Sequence, residues 1–242
     1  MASAAIRRPV RAIEYPTSDG KPMAETDLHR DLMVDSIGTL KGFYVDRPSV
    51  YVSGNLLLYY EEGNKRKHIA PDVFVVRGVG MRRRDYYLLW EEGKAPEVII
   101  ELTSKTTRRE DLGKKWRLYR DTLKVKEYFL FDPWEEYLKP SMQGFRLRGG
   151  DYQPIRWVEN RLPSQILGLH LERNGAILRF YDPAIDRWLL PPSERADEET
   201  RRADVAEKWA EAERKRAERA EEEADRLRRE LAALKEVASR KP

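Results

Sequence analysis

The sequence predicts an α/β (α+β) fold followed by a long helix, and three observations carry that prediction. Apolar runs of strand length alternate with turn-forming residues through most of the chain up to Pro191. Two stretches in the same region space their apolar residues at helical intervals instead. After Pro191-Pro192 the composition changes to Ala, Glu, Arg, Lys and Leu, with no Gly or Pro from Ser193 to Ala238. Strand-period and helix-period segments within one stretch require a sheet with helices packed on it.

Residues 1–20 read as an irregular N-terminal arm, broken by Pro16, Ser18 and Gly20. Helical spacing begins near Pro22, carried by Leu28, Leu32, Ile37 and Leu40, and Gly42 closes it. Val50 to Tyr60 and Ile69 to Val76 are two apolar runs expected as strands, with Glu61-Glu62-Gly63-Asn64 as the turn between them. Met81 to Asp85 is a basic loop, Trp90 to Ala95 another turn, and Glu97 to Leu102 a third strand. Thr107 with Glu110 three residues on has the pattern of a capping box, which starts a second helix.

The apolar stripe of this second helix is Leu112, Trp116, Tyr119 and Leu123. Lys115 shares the Leu112/Tyr119 side and is expected to face the sheet, whereas Lys114 is expected to face water. Glu127 to Phe131 forms a fourth strand. Hairpin turns follow at Gly149-Gly150 and at Asn174-Gly175, the second expected as type I′ between Leu169–Glu172 and Ala176–Tyr181.

Residues 21–192 are therefore the globular domain and 193–242 a charged helical tail. A 4-3 spacing runs through the tail along Ala206, Ala210, Glu213, Ala217, Ala220, Ala224, Leu227, Leu231, Leu234 and Ala238. It fits a coiled-coil seam that would support a homodimer. A solvated single helix held by Glu–Arg pairs is the alternative, because alanine buries little surface.

With no cysteine in 242 residues, disulfides and thiolate zinc sites are excluded, and a reducing cytoplasm is the expected location. The first fifteen residues carry Arg7, Arg8 and Arg11 but no long apolar stretch, so neither a signal peptide nor a membrane span is expected. The net charge of +4 is uneven: 14 basic and 15 acidic residues lie from Ser193 onward, leaving 32 and 27 before it. A mildly basic globular part suits a polyanionic partner, although many unrelated proteins share this balance.

Three residues point most directly at chemistry: Asp72 after Pro71 at the head of an apolar run, Glu101 inside Val98–Leu102, and Lys115 on the following helix. Two carboxylates can hold a hard divalent ion, and an ammonium can steady an attacking water or the charge that develops on phosphorus. Alone, Asp72 reads more readily as an ordinary turn residue before a strand. Glu101 is harder to place as scaffolding, because a carboxylate in a buried strand is costly unless paired or metal-bound. On its strand Glu97, Ile99, Glu101 and Thr103 share one face.

Asp72 with its proline, the run Glu101 to Thr107, Asp111-Leu112-Gly113-Lys114-Lys115 with Tyr119, and Glu127 to Pro133 together resemble the Uma-type restriction endonucleases of the PD-(D/E)XK nuclease superfamily. The resemblance spans about residues 20–185 and is most specific from Pro96 to Pro133. It implies a restriction-endonuclease-like mixed central sheet flanked by helices, with Asp72 and Glu101 as ligands of Mg²⁺ or Mn²⁺ and DNA as substrate. The superfamily's lysine two residues beyond the acid is Thr103 here, and Lys115 fits a relocated role.

The resemblance also implies an auxiliary acid and a histidine on the first helix, for which Glu25 and His29, four apart, are the candidates; helix-terminal polarity is the plainer explanation. Thr103, Lys105, Arg108 and Arg83 are candidate substrate contacts, the last from the Arg82-Arg83-Arg84 loop beside Tyr86-Tyr87. Two alternatives stay open: a non-catalytic nucleic-acid-binding or scaffolding protein on a nuclease fold, and a nuclease for RNA or another phosphodiester.

Overall fold

The computed structural model describes residues 14–18 and 26–239. Two compact units appear, Met1–Pro191 and Pro192–Pro242. The first is a mixed α/β domain, as expected. Its first helix, α1 (Asp27–Phe43), starts after Thr26, whose hydroxyl accepts the His29 N–H at 3.2 Å. It runs past Gly42 and is closed at Tyr44.

Both runs expected as single strands are broken in two, giving β1 (Val50–Ser53), β2 (Leu58–Tyr59), β3 (His68–Ile69) and β4 (Val73–Arg77). The break is local and steric. Gly54 lies so close to the Asp72 carbonyl oxygen that a Cβ there would sit 1.9 Å from it. Beside it, Asn55 takes φ 47° and donates its N–H to the Pro71 carbonyl at 2.8 Å. The crossing fixes where Asp72 sits, just ahead of β4.

Next come β5 (Tyr87–Leu88), α2 (Leu89–Glu92) in place of the expected turn, and β6 (Val98–Leu102). The strands β7 (Glu127–Phe131), β8 (Met142–Arg148) and β9 (Asp151–Pro154) complete a six-stranded sheet of order β1-β4-β6-β7-β8-β9. Only β6 and β7 pair in parallel in this sheet, so the segment joining them is a crossover. A three-stranded sheet, β3-β2-β5, lies in the same unit. The last strands, β10 (Arg161–Pro163), β11 (His170–Asn174), β12 (Ile177–Asp182) and β13 (Arg187–Trp188), form an antiparallel sheet.

The crossover departs from the expected helix in a way that shapes the site. Its capping box lies three residues early: Thr107 N–H donates to Ser104 Oγ at 3.3 Å, and Ser104 N–H donates to Thr107 Oγ1 at 3.0 Å. The helix α3 (Arg108–Glu110) then continues into π-helical turns at Asp111–Lys115 and Leu118–Thr122. Wider turns place residues four apart on one face. Asp111, Lys115, Tyr119 and Leu123 are therefore buried, and Leu112, expected on the apolar stripe, is 40% exposed.

Alternation along the strands supplies a core on each face of the large sheet. Val73, Val75, Val98, Ile100 and Leu102 pack with α1 and the antiparallel sheet, through Leu32, Leu40, Leu171 and Phe180. Phe74, Val76, Ile99 and Leu130 pack on the other face against Tyr119 and Leu123 of the crossover. Gly149-Gly150 turns β8 into β9 with φ 58° and 88°. The second hairpin turns one residue later than expected, on Gly175-Ala176, because Asn174 pairs with Ile177. Gly175 alone takes positive φ there, the sign pattern of a type II′ turn rather than type I′.

The second unit contains α4 (Pro192–Ser239), 48 residues long. Pairs such as Arg202–Glu198 and Lys215–Glu211 brace it, while Val205, Trp209 and Leu227 are exposed. Among the described residues no helix is long and apolar enough to cross a membrane.

Candidate active site

Strand register builds the site. The antiparallel pairing of Val73 with Ile100, continued by one residue, sets Asp72 opposite Glu101. Leu102 N–H donates to Asp72 Oδ2 at 2.7 Å, and Asp72 N–H points at Glu101 Oε2 from 3.4 Å. Each carboxylate is thus held by the other strand's backbone. From the crossover, Lys115 Nζ lies 2.8 Å from Glu101 Oε2, and the Tyr119 hydroxyl donates to Glu101 Oε1 at 2.6 Å. Lys115 Nζ also pairs with Asp111 Oδ1 at 3.1 Å. From α1, His29 Nε2 stands 3.4 Å from Asp72 Oδ1.

Glu101 is fully buried and Asp111 nearly so, and the Asp72 side chain keeps 16% of its surface. Three carboxylates surround one ammonium, and their proton affinities show the crowding. Burial, foremost, and then the charges of Asp72 and Asp111 hold Glu101 well above the usual carboxylate range, against the pull of Lys115. Asp111 is raised by burial as well. Burial also acts to raise Asp72, but the His29 hydrogen bond, the Lys115 charge and the Leu102 N–H together hold it low. Burial pulls Lys115 down, and the three carboxylates outweigh it, so the lysine stays firmly protonated.

Such a site fits a divalent cation. The carboxylates crowd one another more than one ammonium relieves, as the raised Glu101 and Asp111 show, and the buried Thr103 Oγ1 has no hydrogen-bond partner. Among the described residues no three His, Asp or Glu side chains form a ready-made metal cage. A magnesium site needs none, because one or two carboxylates suffice when water and substrate phosphate complete the shell.

The Uma2 family, described as "Putative restriction endonuclease", matches residues 6–174. This chain belongs to the Uma2 family. Among solved structures, the chain is similar to a putative nuclease belonging to DUF820 from Anabaena variabilis, at 16% identity and a TM-score of 0.45. That match covers 63% of this chain and 80% of the other. No curated protein matches the chain.

In this Uma2 protein the fold brings together four of the residues singled out from sequence: Asp72, Glu101, Lys115 and His29. Thr103 follows on the Glu101 face of β6, and Lys105 and Arg108 are exposed just beyond it. Glu25 lies outside the described residues.

Arg83 is not brought to the site. Its neighbours Arg82 and Arg84 are both tied to Glu92, and Arg84 stacks 4.1 Å over Tyr51. Tyr51 pairs with Val76, four residues along β4 from Asp72, which is roughly 13 Å of strand. Tyr87, which follows that loop, is fully buried.

Two further residues reach the site, Asp111 and Tyr119, which belong to the motifs of the family resemblance but carry no site role in the sequence. Asp111 was readable only as the acid four residues before Lys115. Tyr119 reads from sequence as part of the apolar stripe, and only the fold sets its hydroxyl against Glu101.

Proposed function

We propose that this Uma2-family protein is a divalent-metal-dependent endonuclease hydrolysing phosphodiester bonds in DNA. The observation that carries the reading is the fully buried Glu101, set across the strand pair from Asp72 and held by Lys115 and Tyr119. Asp72 and Glu101 would hold Mg²⁺ or Mn²⁺, which when bound supplies Lewis-acid polarisation of the phosphate and a more acidic water.

The chain's own residues do the rest. Tyr119 and Lys115 fix the two oxygens of Glu101, and His29 steadies Asp72 from α1. The Lys115 ammonium, kept protonated by its carboxylates, offers a donor to the charge that builds on phosphorus. Thr103 Oγ1 offers an unused hydroxyl to a phosphate oxygen or a water. The α4 seam would pair two copies and set two such sites in one particle.

Cleavage of supercoiled plasmid with Mg²⁺ or Mn²⁺, comparing wild type with Glu101→Ala, tests the proposal. The expected result is metal-dependent nicking that falls at least about 10³-fold in the variant. Equal cleavage by both proteins would overturn it. Light scattering on the full chain tests the pairing, with twice the 28.5 kDa chain mass expected.

A further inference from the structure

The turn after β7 is held rigidly and presents one large ring. Asp132 is fully buried, and its carboxylate accepts the backbone N–H groups of Trp134 at 3.0 Å, Tyr137 at 2.5 Å and Leu138 at 2.9 Å. On its other side Arg173 donates to the carbonyls of Asp132 and Pro133 at 2.7 and 3.0 Å and pairs with Glu135 at 2.6 Å. A turn fixed at this many points loses little freedom when it meets a ligand. Yet Trp134 at its tip is 51% exposed.

Topology sets this turn beside the acidic site. The parallel strands β6 and β7 pair Leu102 with Phe131, and Thr103 N–H donates to the Phe131 carbonyl at 2.7 Å. Both strands therefore end together, Thr103 two residues past Glu101 and Trp134 three past Phe131. A surface cleft here is lined by Arg108 and Leu112 from the crossover and by Glu136, Tyr137, Lys139 and Gln143 from the turn and β8. Arg108 and Lys139 are exposed, as are Lys105 and Arg109 nearby. Of the turn's acids, Glu135 is taken by Arg173 and Glu136 accepts the Tyr137 hydroxyl. Arg108 and Lys139 thus face one acid, Glu136, along this cleft, and the exposed Trp134 precedes Glu136 by two residues in the same turn.

We infer that this turn is a strand-binding wall: Trp134 stacks on an unpaired nucleobase while Arg108 and Lys139 contact the flanking phosphates. The inference rests on the nuclease reading and narrows its substrate. Inside an intact duplex a base shows no free face to an indole, whereas single-stranded segments, flaps and gaps do, and each stacked base adds substantial affinity. The favoured DNA is thus one with unpaired nucleotides beside the cleavage position.

Fluorescence anisotropy with the full chain tests this, using a labelled oligonucleotide single-stranded or annealed, in chelator so that nothing is cut. Wild type is expected to prefer the single strand. Trp134→Ala should weaken single-strand binding by about 5- to 100-fold and duplex binding far less, while Trp134→Phe retains most of the affinity. Wild-type single-strand affinity in Trp134→Ala, or equal losses in the Ala and Phe variants, would overturn the wall.

If Trp134→Ala leaves DNA affinity unchanged but alters the particle mass by light scattering, the indole belongs to a protein contact and the inference fails. The two readings fail separately. Cleavage lost in Glu101→Ala, with unchanged binding in Trp134→Ala, sinks only the wall. A wild type that binds neither DNA form in chelator sinks the wall, while plasmid cleavage decides the nuclease reading.

Discussion

Glu101 on β6 and Glu127 on β7 sit on neighbouring parallel strands, and both are wholly buried. Around Glu127 the surroundings answer the charge donor by donor: Arg146 Nη2 at 2.7 Å and Nε at 2.8 Å, the Ser164 hydroxyl, and the N–H groups of Gln165 and Ile166 at 3.0 and 3.3 Å. Around Glu101 one ammonium and one phenol are set against two further carboxylates. The Glu127 network ties the 164–167 turn, and with it the antiparallel sheet, to the large sheet. The Glu101 cluster ties less than it crowds. The same buried side chain is scaffolding where its charge is matched and, on the proposed reading, would be a cation site where like charges crowd it.

Variants can break or sharpen this contrast. The largest effect is expected at the scaffold: Glu127→Ala strands Arg146 in the interior and should cost about 3–5 kcal/mol in a denaturant melt. A loss under 1 kcal/mol would break the comparison at its structural end. Gly54→Ala should come next, because its Cβ must push the Asp72 carbonyl aside. Cleavage should fall about 10- to 100-fold, as for other changes that misplace a reacting group. Wild-type rates would show that the strand crossing does not position Asp72.

Asp111→Asn sharpens the contrast from the other side. It keeps the shape beside Lys115 but removes one of the crowding charges. Stability without metal should hold or rise, while plasmid cleavage falls by about 10-fold as Lys115 loses one of its anchors. A variant that is both unstable and fully active would mean that Asp111 is scaffolding. The smallest effect is expected at Arg83→Ala, which should change cleavage by less than about twofold, since its loop lies toward the far end of β4.

Titration supplies a further test. Glu101 holds its proton more tightly in the folded chain than in the unfolded one. Its contribution to stability is therefore complete below about pH 4.3 and is lost as pH rises through the folded-state value. In metal-free melts Glu101→Gln should remove that part of the slope, so the variant gains on wild type as pH rises above about 4.3. Parallel pH curves for the two proteins would contradict the crowding.

Much of this was legible in the sequence, for identifiable reasons. Glu127–Phe131 matches β7 because an apolar run ending at Asp132-Pro133 has few alternatives. Glu101 stood out because a charge inside Val98–Leu102 needs a partner, and Lys115 was placed by helical spacing. What the sequence hid were interactions between segments. The Gly54 crossing splits two strands through contact with a residue 18 positions away. The π-helical turns exchange Leu112 for Asp111 on the buried face, an outcome that regular helical spacing cannot anticipate. Glu92 removes Arg82 and Arg84 from the basic loop by pairing across the α2 turn.

The most direct test of the central claim is the Mn²⁺-dependent thermal shift of wild type beside Glu101→Gln, read without DNA. Wild type should gain stability with added Mn²⁺, about 2.7 kcal/mol at a hundred times the dissociation constant. Glu101→Gln should be at least as stable as wild type without metal and should respond little to it. A variant that is less stable without metal, yet shifts as far as wild type when Mn²⁺ is added, would show that Glu101 is scaffolding like Glu127 and that the cation binds elsewhere.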